Sequence, residues 1–427
     1  MNEIIGIIYV FLIFCLFSLS PLNIFHSNVV NFYSLRKNNF FFNLIINLNI
    51  LLLLSLSPFK LTEYSIPIII ILTLFFIKNY FFLFKNFKNH ISNIIFFFLV
   101  FFILAVQVAS ELNLGWDAKW FWYIKSLYYS ENQTFNELSN YVYNDYHPHL
   151  GSFLWSFFRE VSINQHEYAG RLFYIFFYIT GIFFITHDIF KNNIKNNILF
   201  LLIIFITQKY LYFSGLQEIL IFTTLIFMSK FLYYFIIDKS SIYLFFILMC
   251  TNLLIWIKAE GIAYALISLV AINFISILNL KQRFLINISF LFIIFFKILI
   301  YKFFQIKVND QPYYFEYIIN LDFETLFYKI KNILIYLSYY SFKNIILMCV
   351  PIIIIFNYKK IFQDEYLKLI TLIFLMNIIF IFSAYIFRDM EVVFSLKTTI
   401  DRIIFSSSGF YIVLIINEFK NFFSKYA

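Results

Sequence analysis

The chain reads ISNIIFFFLVFFILAVQVA over residues 91–109 and continues as ELNLGWDAKWFWYIK over residues 111–125. The first stretch is apolar and close to the roughly 20 residues that a helix needs to cross a bilayer. The second stretch begins with an acidic residue and carries three Trp and two Lys. An apolar segment that opens directly into an aromatic, charged segment is typical of a membrane helix with a functional loop at its end.

The composition extends this pattern to the whole chain. Of the 427 residues, 62% are hydrophobic and 13% are charged, and the mean hydropathy is +0.82. Soluble domains usually carry about 25% charged residues, so the composition excludes a water-soluble enzyme and a disordered chain. The three Cys lie in apolar runs without a pairing or metal-binding pattern. The net charge of +9 indicates topology rather than nucleic-acid binding, because the Lys and Arg residues form no basic cluster.

The apolar segments predict an all-α polytopic membrane protein with about thirteen transmembrane helices. The predicted helices cover residues 3–20, 40–57, 66–84, 91–109, 168–187, 197–213, 216–236, 241–257, 260–278, 284–304, 342–356, 366–387 and 402–418. Lys and Arg are concentrated in alternate short loops, which predicts that these loops are cytoplasmic. Two longer loops, about 110–167 and 305–341, then lie on the outer side. Residues 1–90 are predicted to be an added N-terminal group of helices, and residues 91–427 to form one bundle.

The first outer loop contains a predicted amphipathic helix at residues 118–129. In an α-helix, Trp120 and Ile124 share one face and Lys125 points away from it, a pattern typical of helices that lie in the membrane interface. Asp117 stands just before this helix, where a partly desolvated carboxylate is suited to accept a proton. The structural alternative is a helix N-cap, a role that Asp fills well.

Two histidines flank Pro148 later in the same loop. His147 and His149 precede a short apolar segment, and Pro suits the first turn of a helix. Imidazole N–H groups can donate to phosphate oxygens. The structural alternative is a turn with two solvated histidines. A zinc pair is disfavoured, because no Cys lies nearby.

Further charged residues are predicted at the outer ends of later helices. Glu218 opens the segment 216–236, where the helix dipole would also favour a solvated acid. Lys258 and Glu260 interrupt an apolar hairpin, and we expect them to have different partners because residues i and i+2 do not face each other on a helix. Arg402 has a planar fork that suits a phosphate, or it anchors its helix at the interface.

These motifs resemble those of the membrane glycosyltransferases of the GT-C fold. The Gly-Trp-Asp-Ala sequence at 115–118, after a membrane helix and before the His-Pro sequence at 147–148, is similar to the bacterial branch related to the protein O-mannosyltransferases and aminoarabinose transferases. The Lys-x-Glu-Gly sequence at 258–261 and the Asp-Arg pair at 401–402 are similar to later motifs of that branch. Glu218 stands where these enzymes carry Asp, and Phe-Ser replaces a Trp-His before the last helix.

The resemblance implies an inverting transfer of a sugar from a polyprenyl-phosphate donor to a glycan, lipid or protein acceptor. The enzyme would lie in a bacterial inner membrane, with its active site facing the periplasm or outside, and residues 91–427 would be its catalytic bundle. Asp117 would be the general base. The expected ligands of the donor phosphate or sugar are His147, His149, Glu218, Lys258, Glu260 and Arg402. The residues expected to stack on a sugar are Trp116, Trp120 and Tyr146. No cofactor, metal ion or nucleic acid is expected.

Two other functions remain open at this stage. An O-antigen polymerase or ligase is expected to use arginines in its late outer loop, and residues 305–341 contain no Arg. A flippase or transporter of lipid-linked glycans is expected to carry ionisable residues inside its helices and inverted repeats. Lys297 and Lys302 are the predicted cluster inside a helix, and the sequence contains no visible repeat.

Overall fold

The computed structural model describes residues 2–20, 33–87, 91–111, 113–138, 147–190, 193–209, 213–306, 322–388 and 390–426. Within these residues all regular structure is helical, which confirms the predicted α-helical class. Tyr146 and residues 307–321 of the predicted second outer loop lie outside the described residues. The chain forms two units, Met1–Thr223 and Thr224–Ala427. The sequence predicted that residues 1–90 are an addition to a bundle formed by residues 91–427. The two compact units do not test this, and it stays a prediction.

The first unit contains a series of apolar helices and one π-helical turn. Its helices are α1 (Asn2–Leu19), α2 (Tyr33–Ser55), α3 (Leu61–Phe87), α4 (Ile91–Ser110), α5 (Ile124–Ser130), α6 (Leu150–Glu160), α7 (Tyr168–Thr186) and α8 (Asn193–Thr207). The π-helical turn covers Ala118–Tyr123 and leads directly into α5. Helix α9 (Glu218–Asp238) begins in the first unit and ends in the second.

The second unit is also helical, and in two places consecutive helices meet at a large angle. Its helices are α10 (Ser241–Ile257), α11 (Glu260–Asn273), α12 (Leu280–Phe303), α13 (Phe323–Lys343), α14 (Ile345–Phe356), α15 (Glu365–Ile386), α16 (Val392–Ser408) and α17 (Ile412–Tyr426). The axes of α13 and α14 differ by 98°, and those of α16 and α17 by 51°.

Several of these helices are suited to cross a membrane. Five helices in the described residues are long and apolar enough, and the number rises to seven if each bent pair is one span. Six shorter apolar helices coincide with the remaining predicted segments. A helix of 17 residues is about 25 Å long, whereas the hydrocarbon core is about 30 Å thick. The helices therefore support a membrane protein, and the number of thirteen spans stays a prediction.

Helix α7 is the centre of the first unit. It packs against α1, α4, α6 and α8 and is buried along almost its whole length. A helix that is apolar on every side is typical of a protein core or of a membrane span, and α7 is enclosed by other helices. The ring of Phe173 stacks on Phe158 of α6 with centroids 4.2 Å apart, and both rings contact Phe14 of α1.

The contact between α6 and α7 depends on a glycine. A Cβ atom on Gly170 would lie 2.6 Å from both the Cα and the carbonyl oxygen of Trp155. The indole N–H of Trp155 donates to the Glu167 carbonyl, and the Tyr174 hydroxyl donates to the Gly151 carbonyl. Close backbone approach therefore brings two aromatic side chains within hydrogen-bonding distance of the facing helix.

Lysine side chains complete the ends of two helices in the second unit. Lys297 of α12 is buried and donates to the carbonyl of Ile255, in the last turn of α10, over 2.7 Å. Lys329 of α13 donates to the carbonyls of Ile386 and Arg388 at the end of α15. The last carbonyls of a helix have no partner within the helix, and water is scarce in an apolar environment. The two lysines supply those partners.

We predict that Gly170→Ala destabilises the first unit by on the order of 3 kcal/mol, because the new methyl group meets backbone atoms that cannot rotate away. The expected result is a clearly lowered thermal unfolding midpoint of the detergent-solubilised protein. Gly6→Ala is the matched control, since its Cβ would meet only the Tyr168 hydroxyl at 3.1 Å. Equal midpoints for the two variants would contradict this account of the helix contact.

Candidate functional site

Asp117 lies on a segment that is held against the residues before α9. The Gly115 N–H donates to the carbonyl of Ser214 over 3.0 Å. Gly215 has a φ of +95°, and a Cβ there would lie 3.0 Å from the Cβ of Ala118 and 2.4 Å from the indole of Trp155. Glycine at 215 therefore permits both the left-handed backbone and the close approach. The first turn of the helix that carries Asp117 is fixed in place by this contact.

Asp117 does not cap the helix that follows it. It occupies the N-cap position, but its φ of −61° and ψ of −37° are helical and its side chain makes no capping hydrogen bond. An N-cap residue normally has an extended backbone, and its side-chain oxygen accepts from an N–H of the first turn. The carboxylate is half-buried. The structural alternative for Asp117 is thus not realised.

The helix predicted at residues 118–129 is present, but its faces differ from the prediction. A π-helix hydrogen-bonds from i to i+5, so the turn at Ala118–Tyr123 rotates Trp120 relative to the residues of α5. Trp120 is 49% exposed, whereas Lys125 is buried and donates to the carbonyl of His147. The assumption of regular α-helical spacing was therefore wrong for this segment. Lys125 thus holds the His-Pro turn through the hydrogen bond to the His147 carbonyl.

The structure brings His147 next to the aromatic residues of the π-helical turn. The imidazole centroid lies 5.3 Å from that of Phe121 and 5.6 Å from that of Trp122. Phe121 also contacts the ring of Trp116, with centroids 5.6 Å apart. A continuous row of rings thus joins His147 to the residue beside Asp117. His147 is half-buried, so part of its surface can meet a ligand.

His149 is placed differently from His147. It is fully buried, its Nε2 lies 2.7 Å from the Ser55 hydroxyl, and its ring contacts Phe135 at 4.5 Å. The alternative of a solvated turn is therefore wrong for His149. His149 thus connects the segment before α6 to the end of α2.

Glu218 is buried at the start of α9 and is not the solvated acid of the alternative interpretation. Gln217 beside it is also fully buried and donates through Nε2 to the Tyr174 hydroxyl over 2.9 Å. A Cβ on Gly151 would overlap the Gln217 side chain, so the two residues require each other. No role was predicted for Gln217 from the sequence, in which it stands directly before the apolar helix α9.

In the second unit, Lys258 and Glu260 form a salt bridge of 3.0 Å. We expected different partners for them, and this prediction was wrong. The rule for i,i+2 residues holds only inside a continuous helix. Here α10 ends at Ile257, Lys258 is extended with φ −156° and ψ 160°, and α11 begins at Glu260. The break in the helix lets the two charges meet.

The close packing of α10 and α11 positions this pair. A Cβ on Gly261 would lie 1.9 Å from the Leu254 carbonyl oxygen, so only glycine fits there. Lys297 donates to the carbonyl of the next residue, Ile255, and its ammonium group lies over the rings of Trp256 and Tyr301. The end of α10, and with it Lys258, is held by a lysine from another helix.

Arg402 is half-buried on α16, and the backbone of the next residue is contacted from α11. Tyr264 lies one turn after Glu260, is fully buried and donates its hydroxyl proton to the Ile403 carbonyl over 3.2 Å. Three predicted residues, Lys258, Glu260 and Arg402, thus come from adjacent parts of the second unit. Asp117, His147 and Glu218 belong to the first unit.

Two buried lysines inside apolar helices are further features of the second unit. Lys297 was noted from the sequence, and Lys230 of α9 was missed. The ammonium group of Lys230 lies 4.7 Å from the ring centroid of Tyr234. A charged side chain inside an apolar segment is energetically costly in a membrane. Lys230 could therefore have been recognised as a candidate functional residue from the sequence.

Among the residues that the structure describes, no three His, Cys, Asp or Glu side chains form a group that could hold a metal ion. Comparisons with protein-family models, with curated proteins and with solved structures found no match to this chain. The basis for assigning a function is therefore the chemistry of two groups of residues. Asp117, His147 and Glu218 form the first group, and Lys258, Glu260 and Arg402 form the second.

We predict that the Lys258–Glu260 salt bridge contributes measurably to stability, because Lys258 is largely shielded from water. In a cycle of Lys258→Met, Glu260→Gln and the double variant, the coupling should be about 0.5 kcal/mol or more. The measurement is the thermal unfolding midpoint in detergent.

The control cycle pairs Lys258→Met with Glu365→Gln. Glu365 accepts from Ser276, beyond the opposite end of α11, so its shift should add to that of Lys258→Met. Additive shifts in both cycles would contradict a coupled pair.

Proposed function

We propose that this chain is a membrane glycosyltransferase of the GT-C type that uses a polyprenyl-phosphate-linked sugar as its donor. The observation that carries the proposal is Asp117, a half-buried carboxylate at a helix start that does not cap the helix. It lies on a segment fixed to Gly215 and beside an exposed tryptophan. A rigidly held, partly desolvated carboxylate next to an aromatic ring is suited to act on a sugar hydroxyl.

Asp117 acts as the general base in the proposed reaction. It takes the proton of an acceptor hydroxyl while that oxygen attacks the anomeric carbon and the bond to the lipid phosphate breaks. The transition state is oxocarbenium-like, and a single displacement inverts the anomeric centre. The proton remains on the carboxyl group, and the negative charge leaves with the lipid phosphate.

The leaving phosphate requires positive charge or hydrogen-bond donors. Lys258 and Arg402 are the proposed phosphate ligands, since charge-assisted hydrogen bonds to a developing anion are strong. Glu260 orients Lys258 through the 3.0 Å salt bridge, and Lys297 holds the helix end that precedes it. His147, which lies in the row of rings near Asp117, is a further proposed donor of hydrogen bonds.

The proposed location is the inner membrane of a bacterium, with the reaction on its outer side. It rests on the alternation of Lys and Arg in the short loops, which assigns the loop with Asp117 to that side. The finer topology of about thirteen spans belongs to this proposal. It requires several of the shorter apolar helices to cross the membrane although they are shorter than the hydrocarbon core, which a locally thinner bilayer can accommodate.

A transporter of lipid-linked glycans is the second candidate function. Buried Lys230 inside α9 and the two bent helix pairs favour it, because transporters use ionisable groups and discontinuous helices at their binding sites. A transporter has no need for a base, so the role of Asp117 separates the two functions.

We predict that Asp117→Asn lowers sugar transfer by about 10²- to 10⁴-fold, because the amide keeps the size of the side chain and removes its basicity. The assay measures transfer from radiolabelled polyprenyl-phosphate sugars in membranes that contain the protein. Glu131→Gln is the control, an exposed acid of the same loop at the end of α5.

Two outcomes would overturn the assignment. Equal transfer by the wild type and Asp117→Asn would remove Asp117 as the base. Protein-dependent movement of a labelled lipid-linked glycan across vesicles, without transfer from any donor, would favour the transporter.

A further inference from the structure

We propose that Trp116 is the platform on which a saccharide acceptor stacks, so that the acceptor of this enzyme is a glycan rather than a protein or a simple lipid. The inference rests on the proposed function in naming the saccharide an acceptor. The position and exposure of the ring do not depend on that function.

Trp116 is the most exposed tryptophan of the chain. It is 68% exposed, whereas Trp122, Trp155 and Trp256 are buried. Exposure of so large an apolar ring is unfavourable in water, and a sugar face can cover it. The C–H groups of a pyranose carry a partial positive charge and pack on the negative face of an aromatic ring.

The ring of Trp116 packs against a neighbouring aromatic ring. It makes an edge-to-face contact with Phe121, at 5.6 Å and an interplanar angle of 78°. Phe121 lies in the π-helical turn, and Trp116 precedes that turn by two residues. Phe121 rests in turn on His147. A preorganised ring loses little entropy when a ligand binds.

Several residues close to Trp116 in the sequence are polar. Asp117 follows it directly and is half-buried, and Asn113 and Lys119 are exposed nearby in the sequence. A saccharide presents an apolar face and a rim of hydroxyl groups, and this combination of a ring with carboxylate, amide and ammonium groups matches both. Asp117, the proposed base for the acceptor hydroxyl, follows Trp116 in the chain, and on this ground we assign the ligand of the ring as the acceptor.

Trp120 does not share this role, although the sequence predicted stacking for both. The ammonium group of Lys119 lies 5.5 Å from its ring centroid, in a cation–π contact. One face of Trp120 is thus occupied by its neighbour. The difference makes Trp120→Phe a matched control for Trp116→Phe.

The first test uses tryptophan fluorescence of the protein in lipid nanodiscs. Iodide quenches rings that face water, and lipids with brominated acyl chains quench rings that lie in the membrane. The difference between the emission of the wild type and that of Trp116→Phe gives the contribution of Trp116. Iodide should quench this contribution. Methyl glucoside, methyl mannoside, methyl galactoside and N-acetylglucosamine are the probes, and at least one should reduce this quenching in the wild type and in Trp120→Phe.

Two results would overturn the platform. Quenching by brominated lipid without quenching by iodide would make Trp116 a membrane anchor. Quenching by iodide that none of the four saccharides reduces would leave an exposed ring without a ligand, and we would abandon the site.

The second test uses the transfer assay with a glycan acceptor. Trp116→Phe keeps an aromatic ring, and Trp116→Ala removes it. The alanine variant should raise the KM for the acceptor roughly 2- to 10-fold, the fold-change that corresponds to the loss of one aromatic contact. The KM for the donor and kcat should stay unchanged, and the phenylalanine variant should recover part of the affinity.

The two tests separate the failure of this inference from the failure of the proposed function. Protection of Trp116 by a saccharide without any sugar transfer would retain the platform and reject the transferase. Transfer to a protein or lipid acceptor that is indifferent to Trp116→Ala would retain the transferase and reject the platform.

Discussion

Backbone carbonyls at helix ends impose the main constraint on this chain, because an apolar environment offers them no water. Lys297 provides the partner for Ile255, and this contact lets α10 end where Lys258 turns into an extended conformation. The break places Lys258 and Glu260 within 3.0 Å. Lys329 completes α15 in the same way. An ammonium group at a helix C-terminus also meets the negative end of the helix dipole, which offsets part of the cost of its burial.

In the first unit, glycines allow helices and loops to pack closely. Gly170 allows α7 to approach the backbone of Trp155, and Gly215 allows the segment before α9 to lie against the same indole ring. Gly151 makes room for Gln217. Trp155 is thus enclosed by residues of α6, α7 and the loop before α9. The rigidity of the Asp117 segment follows from this packing, since Ala118 rests directly against Gly215.

Chemistry is assigned to the two units on different grounds. In the first unit, a carboxylate at a helix start is not used as a cap, and a row of rings connects its neighbour Trp116 to His147. In the second unit, Lys258 pairs with Glu260, and Tyr264 of the same helix as Glu260 donates to the carbonyl of Ile403, the residue after Arg402. A base and an anion site are the two requirements of sugar transfer from a lipid phosphate.

The apolar periodicity of the sequence was sufficient to predict the helical class, the positions of the apolar helices and the helix that begins near residue 118. These features depend on neighbouring residues, and burial of apolar side chains follows from composition. The π-helical turn, the buried Lys125 and the Lys258–Glu260 salt bridge were not predictable in this way. Each of them occurs where a helix departs from regular spacing and involves a partner distant in sequence. The His147 carbonyl accepts from Lys125, and Lys297 donates to the end of α10.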